Sequence, residues 1–165
     1  MKITPELLLK IKQYATGNKN QLAHFFSKLD RMSPKELDTS FHIYHDEVFS
    51  KINCVDCANC CKTISPRLHE SDIIRMAGYL KKKVTAFKDL YVKTDDEGDY
   101  VFQQTPCPFL NADNFCEIYN HRPKACREYP HTHLKRMNQI LDITFKNVEV
   151  CPAVFMIVER LKSKN

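Results

Sequence analysis

Four cysteines fall within eight consecutive residues, Cys54-Val55-Asp56-Cys57-Ala58-Asn59-Cys60-Cys61, and four more follow at Cys107, Cys116, Cys126 and Cys151. One buried cysteine behaves as a small apolar residue. Four in a single turn-forming segment cannot all face a core, and left exposed they would oxidise. Thiols at this density point to metal ligation, and soft thiolates suit zinc, copper(I) or an iron–sulfur cluster rather than magnesium or calcium. Cys-x2-Cys is half of a zinc knuckle, and Cys-x2-Cys-x2-Cys is also how ferredoxin-like segments begin. The spacing therefore specifies the ligand chemistry and leaves the metal open.

The remaining composition narrows the class. A chain of 165 residues, 43% hydrophobic, is long enough to bury an ordinary core. Its longest apolar run, Ala153 to Val158, is far too short to span a bilayer. The start, Met1-Lys2-Ile3-Thr4-Pro5-Glu6, lacks the apolar stretch of a secretory signal. The expected location is the cytoplasm, where thiols stay reduced, and this weighs against four disulfides as the use of the eight cysteines. The formal charge of +5 overstates any pull on nucleic acid: eight thiolates around two zinc ions add minus eight and plus four, leaving +1. Lys81-Lys82-Lys83 is the only basic run and reads as a solvated helix end. Neither nucleic acid nor membrane is expected as a partner.

Periodicity predicts a mainly helical α+β fold with one or two short β-hairpins. Thr4-Pro5-Glu6 opens a helix carrying Leu7, Leu8, Ile11, Tyr14 and Ala15, stopped at Gly17-Asn18. A second helix presents Leu22, Phe25, Phe26 and Leu29. Ser33-Pro34-Lys35-Glu36 is a capping box for a third, through Leu37, Phe41, Tyr44, Val48 and Ile52. On that helix His42 and His45 lie one turn apart; His45 borders the apolar stripe, so packing is a better account of the pair than ligation. Residues 62–67 should be extended, Glu70 to Leu80 helical, and Thr85 to Leu90 a shorter helix. Tyr91-Val92-Lys93 and Tyr100-Val101-Phe102 flank an acidic turn and predict a hairpin. A second small hairpin is expected around Asn111 to Asn114. Pro123 should open a helical turn carrying Cys126, and Pro152 the last helix. In domain terms, residues 1–50 form a helical segment packed on a metal-stapled cysteine domain, residues 51–165. The N-terminal helices are the candidate surface for a protein partner.

The cysteines can be shared in two ways. Cys54, Cys57, Cys60 and Cys61 can form a local set beside a distant one, or a site can mix the two halves. Adjacent side chains diverge in helices and strands alike, so Cys60 and Cys61 are expected to point to different places. The mixed arrangement follows. Arg122 and Arg127 flank Cys126 and are candidates for donors or positive charge beside the thiolates. His131 and His133 alternate onto one side of an extended stretch and read as an exposed pair.

Cys54-x2-Cys57-x2-Cys60-Cys61, Cys107-Pro108-Phe109-Leu110, and the run from Cys116-Glu117-Ile118-Tyr119 through Arg122-Pro123-Lys124-Ala125-Cys126-Arg127-Glu128-Tyr129-Pro130 resemble the YkgJ-type CxxCxxCC family. The likeness extends from about Ile52 to Pro152, includes the helix start at Leu68 to Ile73, and leaves the first fifty residues uncovered. What it implies is chelation of zinc or iron by the eight cysteines, as ions or as an iron–sulfur cluster. A similar cysteine cluster in flagellin lysine methylases implies an alternative, an iron–sulfur redox or group-transfer enzyme linked to protein lysine methylation. The three glycines, Gly17, Gly78 and Gly98, form no dinucleotide-binding loop, and the Cys-x3-Cys-x2-Cys triplet of radical enzymes is absent.

Overall fold

Thr4 starts the first helix by the expected device: its hydroxyl accepts from Leu7 N at 3.2 Å, with Pro5 in the first turn. Ser33 repeats it, accepting from Glu36 N at 3.3 Å and donating to Glu36 Oε2 at 2.7 Å. The computed structural model describes residues 2–164. Its helices are α1 Pro5–Gly17, α2 Lys19–Leu29, α3 Pro34–Phe49, α4 Cys54–Cys57, α5 Asn59–Thr63, α6 Glu70–Tyr79, α7 Val84–Tyr91, α8 Lys124–Glu128, α9 Leu141–Asn147 and α10 Pro152–Lys164. Strands β1 Val92–Thr94 and β2 Tyr100–Phe102 pair antiparallel, with Val92 opposite Phe102. Short 3-10 turns occupy Tyr119–His121 and Met137–Gln139. The fold is thus predominantly helical α+β, and no described helix is long and apolar enough to cross a membrane.

Packing sorts the chain into two compact units. The first runs to Cys57 and resumes at Pro130; the second is Ala58–Tyr129.

In the first unit α3 packs on α10, α1 on α10 and α2 on α9. Leu37, Phe41 and Val48 of α3 and Val154, Ile157, Val158 and Leu161 of α10 are buried. Phe26 meets Phe145 edge-on at 5.3 Å and Tyr14 meets Phe155 at 5.4 Å. Polar contacts from α3 fix the segment after Pro130. Asp38 accepts from Arg136 N at 2.9 Å and Met137 N at 2.8 Å, so a carboxylate on α3 caps a turn far along the chain. Burial pushes the Asp38 carboxyl up, but the two N–H donors outweigh it and hold it low. His42 Nε2 lies 2.9 Å from Leu134 O, and His45 Nδ1 lies 2.8 Å from the Oγ1 of buried Thr132. The His45 ring lies 5.1 Å from that of His133. His133 is exposed as expected, with its ring against that of His45, whereas His131 is half-buried.

The second unit buries Leu68, Ile73, Met76, Ala77, Phe87, Val92, Phe102, Phe109 and Ile118, with Cys107 and Cys116 packed against them. Ser65 ties the hairpin to the chain before α6, its Oγ accepting from Phe102 N at 2.8 Å. The second expected hairpin narrows to one bridge, Leu110 with Cys116, around a loop in which Asn114 takes φ 68°. Two other boundaries differ from expectation. Helix α3 ends at Phe49 rather than Ile52, and Lys62 and Thr63 are helical because Ala58, at φ 48°, starts α5. Helix α9 had no expected counterpart.

Two outcomes follow. Phe109 sits among Phe87, Tyr91 and Phe102; Phe109→Ala should cost about 3–5 kcal/mol, read by denaturant unfolding. Burial, then the neighbouring His133 charge, lowers His45 from the ordinary 6.5; Asp46 opposes this and His42 adds to it. The unfolded chain then binds more protons, so stability should fall as pH drops through 6.5 and level off below the depressed folded value. Unfolding measured between about pH 7 and pH 5 should show a smaller decline in His45→Gln.

Candidate metal centre

Helix α5 carries both Cys60 and Cys61, and their sulfurs are 4.0 Å apart. The divergence expected of neighbouring side chains is overturned: rotation about the side-chain bonds of two consecutive residues brings the sulfurs back together. The backbone then draws in the next cysteine, since Cys107 N donates to Cys61 O at 2.8 Å. Cys107 begins a tight loop whose far side is Cys116, bridged to Leu110. Cys126 lies in α8.

The second unit therefore gathers Cys61, Cys107, Cys116 and Cys126 into one electrostatic neighbourhood. Cys126 feels the other three as like charges, and Cys107 feels Cys61 and Cys116. Burial pushes the Cys107 thiol up to about 11 and Cys126 to about 12, and raises Cys116. Cys61 goes the other way, to about 7, chiefly through its hydrogen bond with Cys60, with Lys62 and Arg122 adding positive charge. Backbone N–H groups are directed at the sulfurs of Cys107 and Cys116 from the residues two further on, Phe109 and Ile118.

The first unit holds a second group. Cys54 and Cys57 lie at the two ends of α4, and buried Cys151 precedes α10. Burial raises the Cys151 thiol to about 12, with Cys54 and Cys57 adding like charge. The N–H groups of Ala153 and Val154 at the start of α10 oppose that shift at its sulfur.

Among the described residues none of the eight cysteines is in a disulfide, and no three His, Cys, Asp or Glu side chains stand at a spacing that could hold an ion. The donor chemistry nonetheless fits a thiophilic metal. Backbone N–H bonds to the half-buried Cys107 and Cys116 thiols offset part of the cost of a negative charge there, and N–H donors to sulfur are the usual outer partners of thiolate ligands.

Arg122 and Arg127 act differently from each other. The Arg122 guanidinium lies 3.8 Å over the Tyr119 ring and donates to Tyr119 O at 2.6 Å. Its charge favours the thiolate forms of Cys61, Cys116 and Cys126. Arg127 instead braces the backbone, donating to Arg122 O at 2.7 Å.

Two residues of this site were not found from sequence, Asp72 and Arg75 on α6. The Asp72 carboxylate is 1% exposed and accepts from His69 N at 3.1 Å, Lys124 N at 3.1 Å and Arg75 Nη2 at 2.5 Å. Arg75 continues to Arg122 O at 3.0 Å and His121 O at 3.4 Å. The only local signal was an acid in the first turn of a helix, which ordinarily complements the dipole and nothing more.

This geometry defines a helical protein with clustered cysteines suited to soft-metal chelation. Residues 53–152 match the family model CxxCxxCC, described as a "Putative zinc- or iron-chelating domain", and the chain belongs to that family. No curated protein and no solved structure matches the chain.

Proposed function

We propose that the protein binds zinc or iron through cysteine thiolates in two groups: Cys61, Cys107, Cys116 and Cys126 in the second unit, and Cys54, Cys57 and Cys151 in the first. The observation that carries this reading is the Cys107 N–H bonded to the Cys61 carbonyl at 2.8 Å, with Cys116 returning beside the Cys107 loop through its bridge to Leu110, so that cysteines far apart in the chain share one region of the second unit. Four thiolates are a complete ligand set for a closed structural zinc site or for one iron–sulfur cluster. Three leave room for a further ligand. Cys60, 4.0 Å from Cys61, is assigned to neither group. Thiolate ligands of this kind suit a reducing compartment such as the cytoplasm.

Metal of this kind contributes to folding itself. Structural zinc supplies about 10–16 kcal/mol in small domains, comparable with a whole domain's stability of roughly 5–15 kcal/mol. Chelator treatment should therefore lower the melting temperature and open the second unit to protease; unchanged circular dichroism and unchanged digestion would refute the reading.

Which metal is held is decided by protein purified without air. Colourless material with stoichiometric zinc supports a structural chelator. Brown material absorbing in the visible supports an iron–sulfur protein, and with it the alternative of redox or group-transfer chemistry linked to lysine methylation. Cys126→Ser should reduce the metal content of the second unit and leave that of the first, measured by elemental analysis beside Cys151→Ser.

A further inference from the structure

The second unit reaches Cys126 through a buried ionic clasp that makes no contact with sulfur. Helix α8 has five residues, too few to hold its own shape in water. Its first N–H, from Lys124, has no partner within the helix and is taken by Asp72 on α6 at 3.1 Å. Asp72 is 1% exposed, and its charge is balanced by Arg75 at 2.5 Å. The same arginine holds the carbonyls of His121 and Arg122, the residues that lead into α8. Arg127, from within α8, closes the loop on the Arg122 carbonyl at 2.7 Å. The approach to α8 and its first turn are therefore fixed from α6, and Cys126 is the third residue of that helix.

We propose that Asp72, with Arg75, is a positioning residue that sets the second unit's metal affinity by holding α8, and with it the Cys126 ligand, in place. The inference rests on the reading that Cys126 binds metal. A buried carboxylate that only stabilised the fold would lower the stability of metal-free and metal-bound protein together and leave affinity unchanged. One that positions a ligand is felt in the affinity and in the ligand field. Outer partners of this type typically change metal affinity by about 10–100-fold.

The test uses the full chain, Co2+ as a spectroscopic probe and Zn2+ in competition with a chromophoric chelator. Asp72→Asn keeps the shape and removes the charge. It should weaken the Cys126-dependent Zn2+ site by about tenfold or more, alter the Co2+ thiolate absorption, and leave the Cys151-dependent metal in place. Lys124→Pro offers an independent route if Asp72→Asn fails to fold. It deletes the donated N–H, together with an exposed ion pair from Lys124 to Glu128, at a helix start where proline is tolerated, and Pro123 already has the extended backbone that a following proline requires. It should reproduce the loss in weaker form. Unchanged Zn2+ affinity and Co2+ spectrum in either folded variant would overturn the proposal. Wild-type protein in which no bound metal depends on Cys126 would overturn the underlying metal reading as well, and that result is visible before any clasp variant is made.

Discussion

A buried sulfur can serve as a ligand only as an anion, and burial is what opposes the anion. That conflict governs the rest of this molecule. Cys107, Cys126 and Cys151 are all pushed well above the usual thiol range by loss of water. The chain answers with short-range donors, a backbone N–H from two residues on at Cys107 and Cys116, and a helix start at Cys151. Arg122 adds positive charge near three sulfurs. These offsets are partial. In the proposed function, a bound cation supplies the balance.

The two units solve a common problem of topology in the same manner. In each, the chain leaves a helix, travels a long way and must be caught on return. In the first unit Asp38 catches the N–H groups of Arg136 and Met137; in the second Asp72 catches that of Lys124. Both carboxylates stand below their ordinary range although burial works against them, because the bonds they accept favour the charged form. A helical aspartate is thus used as a long-range cap, giving a short, unstable helical turn a fixed starting point.

What was legible beforehand was local. Thr4-Pro5-Glu6 and Ser33-Pro34-x-Glu36 announced their helices because a cap and its partner lie within one turn, and the hairpin at Val92 and Phe102 was readable from alternation around an acidic turn. The cysteines could be read as candidate ligands from type and spacing. Their grouping could not, since whether Cys61 joins Cys54 or Cys126 depends on a loop closed by the Cys61–Cys107 backbone bond, and no spacing encodes it. The rule that neighbouring side chains diverge misled for Cys60 and Cys61, because it describes Cβ directions and the χ1 torsion of each residue still decides where its sulfur lies. Asp72 was visible only as an ordinary first-turn acid; its partner lies beyond the reach of any local pattern.

The interrupted layout of the first unit has a bearing on biosynthesis. Its α3 surface is completed by α10, which is translated only after the whole of Ala58–Tyr129 has been made. Vectorial synthesis therefore leaves the apolar stripe of α3 uncovered until α10 is made, an interval in which the inserted unit can already fold.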